Sequence, residues 1–278
     1  MRLLPFLLLA FVTPAAAAPI CNPELNAPQA PFRVYGNTYY VGTHGVAAIL
    51  IASDRGLVLI DGDLAVSVPA IANNIRTLGF RVGDVKLILN THVHCDHAGG
   101  IAALQKMSGA AVKASPWSAA VLRAGGVGRD DPQNGIEVPI AAVARVSTLR
   151  DGETVRVGPL ALTAHFTPGH TPGGTSWIWQ SCEGRRCLNM VFADSLSVVS
   201  APGFRFSDGD TAAGFRRSIA LVDRLPCDIL ITTHPEMSDL WGRLKTHALI
   251  DPAACHKLAA SARGALDKRL ATEAADRK

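Results

Sequence analysis

Four residues of types that bind divalent metals fall within one short run of this chain, His92-Val-His94-Cys-Asp96-His97. Imidazole nitrogens and carboxylate oxygens are ligands of Zn²⁺, and catalytic zinc is typically held by three protein groups with one position left for water. In a tight loop this spacing lets side chains leave a short backbone segment in different directions and serve two adjacent ions. Two more histidines stand downstream, His170 in Thr167-Pro-Gly-His-Thr-Pro-Gly-Gly174 and His234 in Thr232-Thr-His-Pro235. Gly and Pro on either side of a histidine make a rigid turn that can present an imidazole at little entropic cost. The six candidates divide into two threes, with His92, His94 and His170 on one ion and Asp96, His97 and His234 on the other. Two such zinc ions would lower the pKa of a shared water to about 7 and so supply hydroxide as a nucleophile at neutral pH. Asp96 would orient that hydroxide as well as bind metal. A structural or storage site would be closed and often Cys-rich, so a set of six that includes Asp points to catalysis. His44, His165, His247 and His256 lack this context and read as structural or solvated, with a place behind the metal ligands open to His165.

The elements around these residues are legible in outline. Val85–Leu89 is a short apolar strand that runs directly into Asn90-Thr91-His92, with Gly99-Gly100 just beyond. Polar side chains at the end of a buried strand sit where ligands and metals collect. Residues 38–41, 47–52 and 57–60 read as strands of an antiparallel opening. Val68, Ile71, Ile75 and Leu78 recur at helical spacing over residues 66–78, and Gly79 follows as a stop signal. Residues 101–107 and 116–123 read as helices around a strand at 111–113. Residues 125–141 turn to Gly, Pro, Asp and Asn, a long loop of the kind that serves binding and a candidate substrate-facing flap. The second half continues with strands at 154–157, 160–166, 175–180 and 188–192, a helix at 211–225, a strand at 229–232 and a closing helix at 252–270. Both element types occur in both halves without strict alternation. This predicts an α/β fold of two packed mixed β-sheets flanked by helices, an αββα sandwich.

The chain has 278 residues, 48% hydrophobic and 18% charged, which fits one large globular domain. Met1-Arg2, the apolar run 3–12, Thr13-Pro14 and Ala15 to Ala18 have the layout of a secretory signal peptide, and the run is too short to span a bilayer. The expected organisation is a signal peptide at 1–18 and a single domain at 19–278, exported to the periplasm. Cys21 lies near the cleavage site, but Ile20 precedes it where a lipid anchor would want a small residue, so no stable membrane anchor is expected. The net charge of +4 is spread along the chain and clusters only in pairs such as Arg185-Arg186 and Arg216-Arg217. That is too sparse for a nucleic-acid surface, and a monomer is the default expectation. Export permits disulfides among the six cysteines. Cys182 with Cys187 would close a hairpin, and Cys227 with Cys255 would tie the last helix to the sheet. Cys21 and Cys95 have no obvious partners, and Cys95 is expected to pack inward as a small hydrophobe rather than serve as an oxidisable thiol.

His-x-His-x-Asp-His followed by Ala98-Gly99-Gly100, then Pro168-Gly169-His170-Thr171-Pro172-Gly173, Ala193-Asp194-Ser195-Leu196-Ser197, Pro226-Cys227-Asp228 and His234-Pro235, resembles the subclass B3 metallo-β-lactamases. The likeness extends over residues 34–255. It implies a secreted, two-zinc hydrolase that opens the β-lactam ring amide of penicillins, cephalosporins and carbapenems, a small-molecule substrate, by a zinc-bound hydroxide. In the related B1 pattern a cysteine completes the second metal site; the matching position here is Ser195, and the B3 pattern supplies His97 instead. The resemblance also assigns Ser195 and Ser197 to the rim as groups for the substrate carboxylate. The first motif is shared with lactonases and glyoxalase II-like thioester hydrolases, which place a metal-bridging carboxylate where Asp194 stands, so a metal-dependent lactonase or thioester hydrolase is the alternative.

Overall fold

The computed structural model describes Cys21 and residues 23–276; the signal-peptide reading of residues 1–18 lies outside the described residues. Strands β1 (Phe32–Tyr35), β2 (Thr38–Tyr40), β3 (Ile49–Ser53) and β4 (Gly56–Ile60) form an antiparallel meander. The chain then runs through α1 (Val68–Thr77), β5 (Val85–Leu89), α2 (Cys95–Ala98), α3 (Ile101–Ser108), β6 (Ala111–Ala114), α4 (Pro116–Ala124) and β7 (Val146–Thr148). Strands β5, β6 and β7 join in parallel and complete a seven-stranded sheet in the order β1 to β7. Each parallel step needs a crossover, which the intervening helices provide.

Strands β8 (Thr154–Val157), β9 (Leu160–Phe166), β10 (Thr175–Glu183) and β11 (Arg186–Ala193) form the antiparallel part of the second sheet. After α5 (Thr211–Val222), β12 (Ile229–Thr232) pairs in parallel with β11, giving the order β12-β11-β10-β9-β8. Helices α6 (Leu240–Lys245) and α7 (Ala254–Ala275) end the described chain. Among the described residues no helix is long and apolar enough to cross a membrane.

Two sheets and two helical layers leave three apolar interfaces. Tyr40, Ile49, Ile51, Val58 and Ile60 meet Trp177, Met190 and Phe192 between the sheets. The other face of the first sheet packs Leu50, Leu59 and Ile88 on Ile71 and Ile75 of α1 and Leu104 of α3. The second sheet packs Val191 and Leu230 on Phe215 and Ile219 of α5 and Leu258 of α7. Because strand β4 is covered on both faces, Gly-Leu-Val-Leu-Ile is buried throughout rather than alternating. The αββα sandwich expected from the sequence is the fold observed.

Several elements depart from the sequence reading. Edge strands β1 and β7 and the short helices α2 and α6 were not visible in it, being three to six residues long. The hairpin β10–β11 is longer than read, and Cys182 faces Cys187 across it, joined by the expected disulfide. The expected Cys227–Cys255 bridge is also present. Cys95 corrects the reading made of it: it is bonded to Cys21, 74 residues away, and no cysteine is free. Nothing in a composition reveals a pairing over that distance, since it depends on Cys21 arriving beside the start of α2 in the folded chain.

Helix α7 also runs further than expected, and the reason is Glu273, only 3% exposed. Its carboxylate accepts the backbone N–H groups of Phe206 and Ser207, both at 2.9 Å, and Arg269 Nε at 2.7 Å. Arg269 in turn donates to Ser200 Oγ and Phe204 O, each at 2.9 Å, and lies over the Phe206 ring. Burial pushes the Glu273 carboxyl upward, but these hydrogen bonds outweigh it and bring the pKa from 4.5 down to about 2. A depressed carboxyl contributes stability above its unfolded pKa that is lost as pH falls through the folded value. Glu273→Gln should therefore reduce the unfolding free energy by about 1–3 kcal/mol at neutral pH. The lead of the natural chain should be full above pH 4.5 and shrink toward pH 2, as read by chemical denaturation across that range; a gap independent of pH would refute the role of the charge.

Candidate metal centre

The loop after β5 is built on a buried acidic turn. Asp61, with φ +62°, accepts the Thr91 N–H at 2.8 Å, Thr91 Oγ1 at 2.6 Å and Asn90 Nδ2 at 3.1 Å. Burial pushes its carboxyl up to about 7 despite these bonds. Trp177 Nε1 on β10 donates to Asn90 O at 3.2 Å, so the second sheet holds the same loop. One residue on, Gly62 N–H donates to His97 O at 2.9 Å, and Gly100 N–H to Asp63 O at 3.0 Å. A Cβ on Gly100 would run into the Gly62 carbonyl, which is why a glycine stands there. Asp61-Gly-Asp63 thus clamps both ends of the motif.

The motif itself is not one tight loop. His92 lies outside any helix or strand, His94 is extended at φ −73° and ψ 153°, and Cys95–Ala98 is a turn of helix. That change of backbone sends Asp96 and His97 in a different direction from His92 and His94. His170 comes from the β9–β10 connection, where Thr167 N–H closes on Gly174 O at 2.7 Å. His234 comes from the end of β12, where Thr232 Oγ1 donates to its carbonyl at 2.6 Å.

These elements bring all six predicted ligands together as two groups. In the first, ligand atoms of His92, His94 and His170 lie within 4.8 Å of one another. In the second, Asp96 Oδ2 lies 3.3 Å from both His97 Nε2 and His234 Nε2, which are 3.2 Å apart. Each imidazole of the first group is held from behind at one nitrogen: His92 Nδ1 by Asp194 Oδ1 at 2.8 Å, His94 Nε2 by Asp131 Oδ1 at 3.0 Å, and His170 Nδ1 by Ser197 O at 3.2 Å. His234 Nδ1 likewise donates to Gly45 O at 3.1 Å. Their other nitrogens face inward, and His92 Nε2 is buried with no partner.

Electrostatics suit a cation. Burial, followed by the neighbouring imidazoles, holds His92 and His170 well below their ordinary pKa, and burial lowers His97 in spite of Asp96. Neutral imidazoles keep the lone pairs that metals need. Burial alone would raise Asp96, but His97 and His234 keep its carboxyl well below the usual range, so it is ionised. For His94 and His234 burial pulls down, but Asp131 and Asp96 respectively outweigh it and the net shift is upward. Three imidazoles held neutral by burial, two more partnered by carboxylates, the Asp96 carboxylate and an orphaned inward nitrogen make a donor set that fits Zn²⁺ in two three-ligand groups.

Other candidates fall variously. Asp194 stands behind His92, with burial pushing its carboxyl well above the usual range. Ser195 is buried rather than on an open rim and shares a 2.9 Å hydrogen bond with Thr233 Oγ1, while half-buried Ser197 has its hydroxyl 2.9 Å from His170 Nδ1. His165 sits on β9 opposite Ser176, outside the ligand groups. His44 is exposed and stacked on Trp241, and His256 pairs with Asp223. The sequence reading missed Asp61, Asp63, Asp131, Gln133 and Glu137, all of which are buried around the motif. Only Asp61-Gly-Asp63 left a trace, as acidic residues directly after a fully apolar strand.

A family model described as the metallo-beta-lactamase superfamily matches residues 41–181. Among curated proteins, a hydroxyacylglutathione hydrolase of Anaeromyxobacter dehalogenans is 32% identical over 53% of this chain and 45% of its own length. The N-acyl homoserine lactonase AttM of Agrobacterium fabrum is 25% identical over 62% of this chain and 66% of its own. The chain thus spans between about half and two thirds of these relatives. Solved structures match more fully. Rm3 metallo-beta-lactamase is 52% identical with a TM-score of 0.89, covering 91% of this chain and 98% of that one. MEM-A1, a subclass B3 metallo-beta-lactamase from a soil metagenome library, is 49% identical with a TM-score of 0.88, covering 91% and 99%. SMB-1 bound to 2-mercaptoethanesulfonate is 47% identical with a TM-score of 0.88, covering 90% and 99%. With its fold, its two ligand groups and these likenesses in agreement, the chain belongs to the metallo-beta-lactamase superfamily.

Proposed function

We propose that the protein is a zinc-dependent hydrolase of the β-lactam ring amide, acting on penicillins, cephalosporins and carbapenems. The observation that carries this reading is the meeting of His92, His94 and His170 beside Asp96, His97 and His234 in a chain similar over nine tenths of its length to subclass B3 metallo-beta-lactamases. Each group of three would hold one zinc ion. When bound, zinc supplies a water acidic enough to serve as nucleophile near neutral pH and polarises the amide carbonyl.

The side chains do the remaining work. Asp96, held beside His97 and His234, would bind metal and orient the attacking water toward the carbonyl. Asp194, Asp131 and Ser197 O fix which nitrogen each imidazole offers, so the ligands need not reorganise during turnover. Ser195 and Ser197 would take the substrate carboxylate. Ser195 Oγ can donate to that anion while accepting from Thr233, and the Ser197 hydroxyl can turn away from His170, which keeps Ser197 O as its partner. No covalent intermediate on serine is required.

The placement of Asp194 behind His92, rather than between the two groups, favours this reading over a lactonase or thioester hydrolase. All six candidate ligands lie in one chain, so the proposed site needs no second copy to be complete. Three disulfides support export to an oxidising compartment such as the periplasm.

Chelation should abolish hydrolysis of a carbapenem, and added zinc should restore it; full activity in metal-free protein would sink the proposal. Replacing His170 with Ala should leave one zinc per chain by metal analysis, and retention of two tightly bound ions would refute its assignment. A panel of penicillin, cephalosporin and carbapenem against an acyl-homoserine lactone and S-lactoylglutathione should show turnover of the first three, whereas preference for either of the last two would transfer the assignment to the alternative.

A further inference from the structure

The loop between α4 and β7 does not behave as a surface connection. Three of its polar side chains are buried: Asp131 is 4% exposed, Gln133 2% and Glu137 9%. Its ends are pinned by paired backbone hydrogen bonds between Gly126 and Ile140, at 2.9 and 3.1 Å, and Pro132 O accepts from Ala201 N–H at 2.8 Å. Burying carboxyl groups that are only partly hydrogen-bonded is costly, and here Asp131 Oδ2 and Glu137 Oε2 both lie buried without a partner. In each case the other oxygen is spent on the metal-binding run.

Asp131 Oδ1 accepts from His94 Nε2 at 3.0 Å and from the Gln133 N–H at 2.8 Å. With its proton held on Nε2, His94 turns the lone pair of Nδ1 toward His92 and His170. Glu137 Oε1 accepts the Cys95 N–H at 2.7 Å. That N–H opens α2, whose N-cap residue His94 gives no side-chain cap, and the first amides of a helix need outside acceptors. The direction of α2 decides where Asp96 and His97 point. One loop therefore reaches a ligand of the first group through Asp131 and two ligands of the second through Glu137.

We propose that residues 125–141 set the two ion sites separately, with Asp131 as the positioning residue of the His92–His94–His170 group and Glu137 as that of the Asp96–His97–His234 group. Neither side chain touches an ion or substrate. The inference rests on the two-zinc reading above.

The test uses full-length purified protein loaded with zinc, in two backgrounds that each retain one group: His234→Ala keeps the first, His170→Ala keeps the second. Zinc affinity is read by competition with a chromophoric chelator. In the His234→Ala background, Asp131→Ala should weaken the remaining ion about 10–100-fold, the usual range for partners behind a ligand, while Glu137→Ala leaves it within about two-fold. The pattern should invert in the His170→Ala background, and Asp131→Asn and Glu137→Gln, which keep an acceptor oxygen, should recover part of each loss. Thermal unfolding of each metal-free variant supplies the control for general scaffolding. Equal weakening of both ions by either substitution, no weakening by either, or losses that track the stability of the metal-free proteins would each overturn the proposal. If the otherwise unaltered chain itself fails to hold two zinc ions, the two-zinc reading falls, and that result is separate from a loss of selectivity between the variants.

Discussion

Four buried imidazoles, a half-buried fifth and a buried carboxylate lie within reach of one another, and the rest of the architecture answers to that constraint. Buried polar groups must be partnered, because an unmet donor or acceptor costs about 1–3 kcal/mol. The protein meets this from outside the cluster. Asp194, Asp131, Ser197 O and Gly45 O each take one ring nitrogen, and the opposite nitrogen is left facing in. His97 is the exception, with a buried Nδ1 that has no partner. The inward side can be left unsatisfied only because a cation can satisfy it, which is the difference between a metal centre and a cluster of core histidines.

The sheets explain why these partners arrive together. His92 follows β5, Asp194 follows β11 and His234 lies just beyond β12, so three of the contributions sit at ends of strands that pair in parallel with a neighbour. His170 adds a turn between β9 and β10. Strand ends at the edge of packed sheets are where an α/β fold can project polar groups without breaking its core. Contacts such as Trp177 Nε1 to Asn90 O and Ala47 N–H to Thr233 O at 2.9 Å stitch the two sheets at this edge. The apolar interface between the sheets thereby fixes the relative position of ligands that are as far apart in sequence as His92 and His234.

The candidate ligands and the layers are legible in the sequence because both obey local rules. Metal-binding residue types recur at short spacing in the first motif, and buried strands and amphipathic helices follow hydrophobic periods. Two of the groups behind the ligands were invisible for the opposite reason. Asp131 and Glu137 belong to a stretch whose Gly, Pro, Asp and Asn content reads as solvated loop, and only the chain path turns those carboxyl groups inward. The same holds for Cys21 and Cys95, whose pairing depends on the crossing of distant segments. Ser195 and Ser197 show a third case: the resemblance placed both on the rim, whereas Ser195 is buried against Thr233 and Ser197 leans on His170, partners that only the folded chain reveals.

Gln133 shows how far the hydrogen-bond pattern alone determines the chemistry. Its Nε2 lies 3.4 Å from His94 Nδ1 and 3.3 Å from His170 Nε2. A side-chain amide nitrogen only donates, so this orientation of Gln133 matches ring nitrogens that present lone pairs. Asp131 and Ser197 O demand the same tautomers from the other side, since each accepts from the opposite ring nitrogen. The Gln133 amide therefore fits the tautomers of His94 and His170 that Asp131 and Ser197 O set. An amide donor satisfies those lone pairs weakly, at the long end of hydrogen-bond distance, and a divalent cation sharing them with His92 Nε2 would satisfy all three at once.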